Sequence, residues 1–329
     1  MSIPRVGVAI PNWNGEKVLP LCLNSVLEAF RASEVPDPWE IVVVDDCSTD
    51  GSAQIVRTDF PMVKWIPLEG RGGFIVAANE AVSHCTNDYV LMLNNDAILE
   101  RDFFDHWHQH FQDEDVFAVT SWMVRWDHMT FDSGRRVAVW DRGLIRHWVV
   151  GDRGQSAPTL FGCGGATIYD RHKFEALGGF DPLYRPMYIE DLDISYRAWK
   201  RGWKVIYEPA CVVYHHHAYS SQKAFPGRRK AIMVNKNHFL FVWKNITDPR
   251  LIRRHLLWLP VWLIEAPFQR RRLWLAGFFG ALARIGETLR QRRIEKQDAK
   301  VSDSEIFELF KPTEYDLAHS PRTGMAGTA

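Results

Sequence analysis

The chain has 329 residues, 46% of them hydrophobic and 24% charged, which supplies a large core and excludes a disordered or collagen-like protein. Its 40 Lys and Arg balance 40 Asp and Glu, but residues 223–297 hold 17 basic against 4 acidic side chains. An acidic body with a basic appendage is therefore expected to meet different partners through its two parts. Five scattered cysteines, none spaced as C-x-x-C, suggest neither a disulfide framework nor a zinc site and point to a reducing compartment. Residues 1–11 carry one Arg and two prolines and run directly into a strand-like pattern, so no signal peptide is expected.

Short apolar runs alternate with helical stretches along the first half. Strands are predicted over Val6–Ile10, Glu40–Val44, Val63–Pro67 and Tyr89–Leu93, and helices over Lys17–Arg31, Gln54–Asp59 and Phe74–His84. This alternation predicts an α/β fold with a mostly parallel, doubly wound central sheet, helices on both faces, and ligands gathered beyond the carboxyl ends of the strands. Residues 122–148 read as short antiparallel strands or a hairpin insertion. Phe161–Ala166 is a glycine-dense bend before the strand Thr167–Tyr169, and Arg171–Leu177 is a helix stopped by Gly178-Gly179.

A helix begins near Glu190-Asp191, with acids in its first turn, cations in its last, and Gly202 closing it. Strands Lys204–Tyr207 and Val212–Tyr214 follow, leading to His215-His216-His217. From Arg228 a helix is predicted through Asn245. Two apolar blocks, Leu256–Ile264 and Leu273–Ala283, then flank Gln269-Arg270-Arg271-Arg272. Each block is shorter than the ~20 residues that a spanning helix needs. Residues 223–297 are thus expected to be a C-terminal helical region resting in a membrane interface, with Trp258, Trp262 and Trp274 at headgroup depth; a helical lid or a dimer surface is the competing expectation. Residues 298–329 read as a flexible tail, and 1–222 as the catalytic domain.

The polar residues cluster at strand ends: Pro11-Asn12-Trp13-Asn14, Asp45-Asp46 with Ser48-Thr49-Asp50-Gly51, and Asn94-Asn95-Asp96. Any one alone reads as ordinary turn and helix-cap chemistry, and the acids at Glu190-Asp191 as favourable first-turn charges. Together, and in this order over about 6–219, they resemble family 2 inverting glycosyltransferases of the GT-A (Rossmann-like) fold. The rhamnosyltransferase-like branch, which builds bacterial cell-envelope polysaccharides, is the nearest match.

The resemblance implies specific roles. Pro11, Asn12, Asn14, Asp46, Arg71, Asn79 and Asn95 would contact the nucleotide-sugar, Asp46 at the pyrimidine and Arg71 at the phosphates. Asp96 and His215 would bind a divalent cation, Mg or Mn. The family's acidic motif is reduced here, because Asn94 and Asn95 precede Asp96, and this lowers the charge available to a metal. Asp191 would be the general base with Glu190 beside it, and no nucleophilic side chain is needed. The donor is expected to be a UDP- or dTDP-sugar and the acceptor a saccharide or lipid-linked saccharide. The chain would lie peripherally on the inner face of the plasma membrane, with no nucleic-acid partner and a possible homodimer. A sugar nucleotidyltransferase fits less well, since Pro11-Asn12-Trp13-Asn14 replaces a phosphate-binding loop; a processive synthase lacks its Q-x-x-R-W motif here; a non-catalytic nucleotide- or lipid-surface binder draws on the Asn94-Asn95 departure.

Overall fold

The computed structural model describes residues 3–151, 153–216, 227–268 and 272–319. Its core is a ten-stranded sheet. The strands β1 (Val6–Asn12), β2 (Glu40–Asp45), β3 (Lys64–Pro67) and β4 (Tyr89–Leu93) are parallel neighbours in the order 3-2-1-4. Beyond β4 lies the antiparallel β11 (Ala166–Asp170), then β6 (Val116–Arg125) and β12 (Lys204–His215), which are parallel to each other. The short β5 (Ala97–Leu99) and β10 (Ala157–Pro158) pair with β12, and β7 (Phe131–Ser133) with β6.

Strand residues alternate between two apolar layers, as the two-residue period of a strand requires. Val8, Ile10, Ile41, Val43, Leu91 and Leu93 face α1 (Leu19–Ala32), while Ala9, Val42, Val44, Val90 and Met92 face α3 (Phe74–Ser83) and α5 (Glu190–Lys200). Both faces are covered, so the runs read as continuously apolar rather than alternating. The predicted strands Lys204–Tyr207 and Val212–Tyr214 are one strand, interrupted by a register shift between Glu208 and Val212. In the irregular segment, β8 (Arg136–Asp141) and β9 (Leu144–Val149) form a separate hairpin.

The C-terminal helices belong to the same body. Helix α6 (Gly227–Asn245) buries Phe239, Leu240, Phe241 and Val242 in the layer shared with α5, each such burial stabilising the fold by about 1.5–3 kcal/mol. Helices α7 (Pro249–Phe268), α8 (Arg272–Leu282) and α9 (Ile285–Asp298) follow. The expected flexible tail is corrected as far as residue 319. The short helices α10 (Asp303–Leu309) and α11 (Glu314–Ala318) both carry capping boxes, Ile306 and Phe310 are buried, and Ala138 N–H donates to the Phe310 carbonyl. Local polarity suggests disorder there, but three buried apolar side chains, Ile306, Phe307 and Phe310, and caps at both helix starts suffice to dock the segment. His217, Gln269-Arg270-Arg271 and residues 320–329 lie outside the described residues.

Among the described residues no helix is long and apolar enough to cross a membrane. Two of the three expected interfacial tryptophans are half-buried, and Trp262 is buried. The outward stripe of α7 is instead Leu256, Leu257, Val261 and Ile264, continued on α8 by Phe279 and Leu282, all exposed.

Candidate active site

A cavity of about 850 Å³ opens at the carboxyl ends of the parallel strands. Nine of the eleven expected site residues line it: Pro11, Asn12, Asp46, Arg71, Asn95, Asp96, Glu190, Asp191 and His215. They come from six separate elements or loops, brought together because β1, β2 and β4 end at one sheet edge while α5 and β12 close the other side. Asn14 and Asn79 do not line the cavity. Asn14 braces two strand-end loops, its N–H donating to Ser48 Oγ at 2.8 Å and its Oδ1 accepting from Thr49 N–H at 2.8 Å. Asn79 pins the turn before α5, donating to the Phe180 carbonyl at 2.7 Å and accepting from Phe180 N–H at 2.8 Å.

At one end, Asn95 Nδ2 donates to Asn12 Oδ1 at 2.7 Å, and Asn12 Nδ2 donates to Asp45 Oδ1 at 2.9 Å, locking the tips of β4, β1 and β2. Asp46 accepts from Gly72 N–H at 2.5 Å and Gly73 N–H at 3.0 Å. Burial raises its carboxyl pKa above the ordinary range, although those amides and Arg71 oppose the rise. The Arg71 guanidinium lies 3.8 Å over the Trp13 ring, so Trp13, from the first strand-end motif, forms part of the wall as a further site residue.

In the middle, His215 places Nε2 3.1 Å from Asp96 Oδ1 and Nδ1 2.7 Å from Asp132 Oδ2. Burial alone would lower this imidazole, but hydrogen bonds to Asp132 and Asp96 outweigh it and push its pKa up to about 9. Asp132 was not foreseen; it lies on β7, in the segment whose sequence shows no period. The three groups suit a divalent cation in part. Asp96 and His215 offer a carboxylate oxygen and an imidazole nitrogen on the cavity wall, and Asp132 orients the ring from behind. Among the described residues no group of three or more His, Cys, Asp and Glu forms a metal cage, so the donor set fits an ion that keeps water and takes phosphate oxygens.

At the far end, the amino terminus of α5 presents Glu190 and Asp191. Asp191 accepts from Leu192 N–H at 2.8 Å and from Gly164 N–H at 3.4 Å. Burial raises its pKa, against the opposing effects of Arg136 and the backbone amides; burial and the neighbouring Asp191 charge drive Glu190 well above the usual carboxylate range. One Glu190 oxygen is buried without a hydrogen-bond partner. The preceding Tyr188 and Ile189 have φ of +73° and +76°, a left-handed conformation that strains a β-branched residue by about 1–3 kcal/mol. Asn237 of α6 holds them: its Nδ2 lies 2.9, 3.0 and 2.8 Å from the carbonyls of Tyr184, Met187 and Tyr188. The glycine bend serves the site by close approach, since a Cβ at Gly165 would stand 2.3 Å from Asn94 Nδ2.

With this geometry in view, the comparisons with known proteins are decisive for the family. The model of the family named Glycosyl transferase family 2 matches residues 7–178, more than half of the chain, and spans the parallel run from β1 to β4. This chain belongs to glycosyltransferase family 2. The glycosyltransferase is 25% identical over 233 residues to the N-acetylglucosaminyl-diphospho-decaprenol L-rhamnosyltransferase of Mycobacterium tuberculosis (strain CDC 1551 / Oshkosh), covering 59% of this chain and 73% of that one. Among solved structures, Staphylococcus aureus TarS 1-349 in complex with UDP-GlcNAc superposes with a TM-score of 0.52 at 16% identity, over 93% of this chain and 89% of that chain. The mannosyltransferase PcManGT from Pyrobaculum calidifontis, in complex with GDP-Man and Mn2+, gives 0.51 at 19% identity over 89% and 87%. The sheet order and these likenesses give the glycosyltransferase a GT-A fold.

Proposed function

We propose that this glycosyltransferase moves a sugar from a nucleoside-diphosphate sugar to a hydroxyl of a lipid-linked saccharide in cell-envelope polysaccharide synthesis, with inversion at the anomeric carbon. One observation carries the reading: Asp46, Asp96 and Asp191, far apart in the chain, line one cavity. Asp46 and the Trp13–Arg71 wall would hold the base, and Arg71 also lies within reach of phosphate. Asp191 would take the proton of the acceptor hydroxyl as its oxygen bonds to the anomeric carbon and the bond to the nucleoside diphosphate breaks. Burial makes its carboxylate a stronger base than an exposed one, while Arg136 and the amides of Leu192 and Gly164 favour its ionised form. Glu190, driven towards its protonated form, would donate a hydrogen bond to a substrate hydroxyl. Asp96 and His215 would hold a Mg or Mn ion, which would neutralise charge on the departing diphosphate.

The acceptor class draws support from the rhamnosyltransferase relative, whose name specifies a diphospho-decaprenol acceptor. Peripheral attachment to the inner membrane face draws support from the exposed stripe on α7 and α8 with Arg250, Arg253 and Arg254 beside it. The test is thermal shift with a panel of UDP- and dTDP-sugars, with and without Mn, followed by transfer assays. A true donor raises the Tm of wild type and of Asp191→Asn alike, whereas only wild type turns over. Absence of stabilisation by any nucleotide sugar would refute the reading.

A further inference from the structure

Three cations line the cavity and remain outside the roles given above: Arg185, Arg229 and Lys230. Arg185 opens the loop that runs into Glu190, and Lys230 Nζ sits 5.0 Å from the Tyr188 ring centroid, so α6 and this loop together form one rim. Among the described residues, none of the three has a carboxylate within ion-pair distance. Arg229 and Lys230 also stand, with Arg228, in the first turn of a 19-residue helix that carries no acid there. The helix dipole opposes cations at that end by about 0.3–1 kcal/mol each. Local stability therefore does not account for them.

The cavity beside this rim presents Asp96, Asp132, Glu190 and Asp191, against a further cation, Arg136. An anionic acceptor would be repelled from it unless cations met its charge first. The rim is also joined to the apolar stripe: Gly277 of α8 packs directly on Asn235 of α6, and Lys236 Nζ donates to the Arg185 carbonyl at 3.4 Å.

We infer that Arg185, Arg229 and Lys230 form a phosphate subsite for the acceptor, which binds through a phosphate or diphosphate next to the sugar that is extended. The inference rests on the sugar-transfer reading and deepens it by giving the acceptor's charge a seat distinct from the donor's. The cations occupy a concave wall beside the base, whereas Arg250, Arg253 and Arg254 lie on the outer helix; this separates the subsite from a general lipid-surface contact.

Calorimetric titration of the full chain with farnesyl diphosphate and with inorganic pyrophosphate tests it, using wild type, Arg185→Gln, Arg229→Ser/Lys230→Ser, and Arg71→Ser as a donor-side control. The rim variants should bind both probes about tenfold more weakly, keep the wild-type Tm, and keep the thermal shift given by UDP with Mn; Arg71→Ser should bind farnesyl diphosphate as wild type does. Tighter binding of farnesyl diphosphate than of pyrophosphate marks a lipid-linked acceptor, and equal affinities a free phosphorylated one. Unchanged farnesyl diphosphate affinity in the rim variants overturns the inference. So does loss of the UDP–Mn shift in their place, which would put the cations on the donor. If no nucleotide stabilises wild type, the transfer reading itself fails, independently of the rim.

Discussion

Asp191 and Arg136 give the site its acid–base behaviour. Asp191 acts as a base only when ionised, and burial has moved its pKa upward while Arg136 pulls it back. The rate should therefore rise with pH through a carboxyl that titrates above the ordinary range, and Arg136→Met should move that acid limb to higher pH, as measured by kcat/KM profiles. Asp191→Asn should lower kcat by about 10²–10⁴-fold with donor binding retained. Glu190 titrates higher in the folded chain than in the unfolded one. Between those two values the folded state holds the extra proton, so its stability falls as pH rises. Glu190→Gln should remove that decline and raise Tm at neutral and alkaline pH. Asp132→Ala should weaken Mn binding about 10–100-fold, read by calorimetry, because the His215 ring loses its orienting carboxylate.

Two elements support the base from outside the strand-end motifs. Helix α6 clamps the strained Tyr188–Ile189 backbone through Asn237, so Asn237→Ala should cost about 1–3 kcal/mol in chemical denaturation and lower kcat more than it alters donor affinity. The carboxyl end of α5 is tied to the C-terminal helices by Lys200, whose Nζ donates to the Asn245 carbonyl at 2.9 Å and to Asp303 Oδ1 at 3.2 Å; both side chains of the ion pair are fully buried. Asp303→Ala would strand that ammonium, with an expected loss of about 3–5 kcal/mol. The strands β1 to β4 and α5 are legible from periodicity and first-turn charge, because those signals are local. The long β6 lacks such a signal, and the role of 303–319 is invisible in sequence, since docking depends on Trp199 and Tyr196 being present to receive Phe310 and Phe307.

Taken as a whole, the molecule joins a sheet-edge cavity to an outward apolar stripe through α6. Because Phe239 to Val242 belong to the common core, a chain ending near residue 222 should fail to fold, and membrane attachment is better tested by Leu257→Asp/Ile264→Asp in the full chain. Those exposed positions should leave Tm unchanged and reduce co-sedimentation with anionic vesicles. Undiminished pelleting would remove the interfacial role from this stripe.

The nucleotide-facing motifs could be read along the chain because a parallel strand of apolar residues must end in polar ones, and the sheet gathers those ends at one edge. Asp132 behind His215, 83 positions away, could not, nor could the cationic rim. Their partnership arises only when β6, β7 and β12 pair and α6 folds back across the loop before α5. A charge written in sequence states its sign; its neighbours, its burial and hence its chemistry are set by contacts between segments that carry no mark of one another.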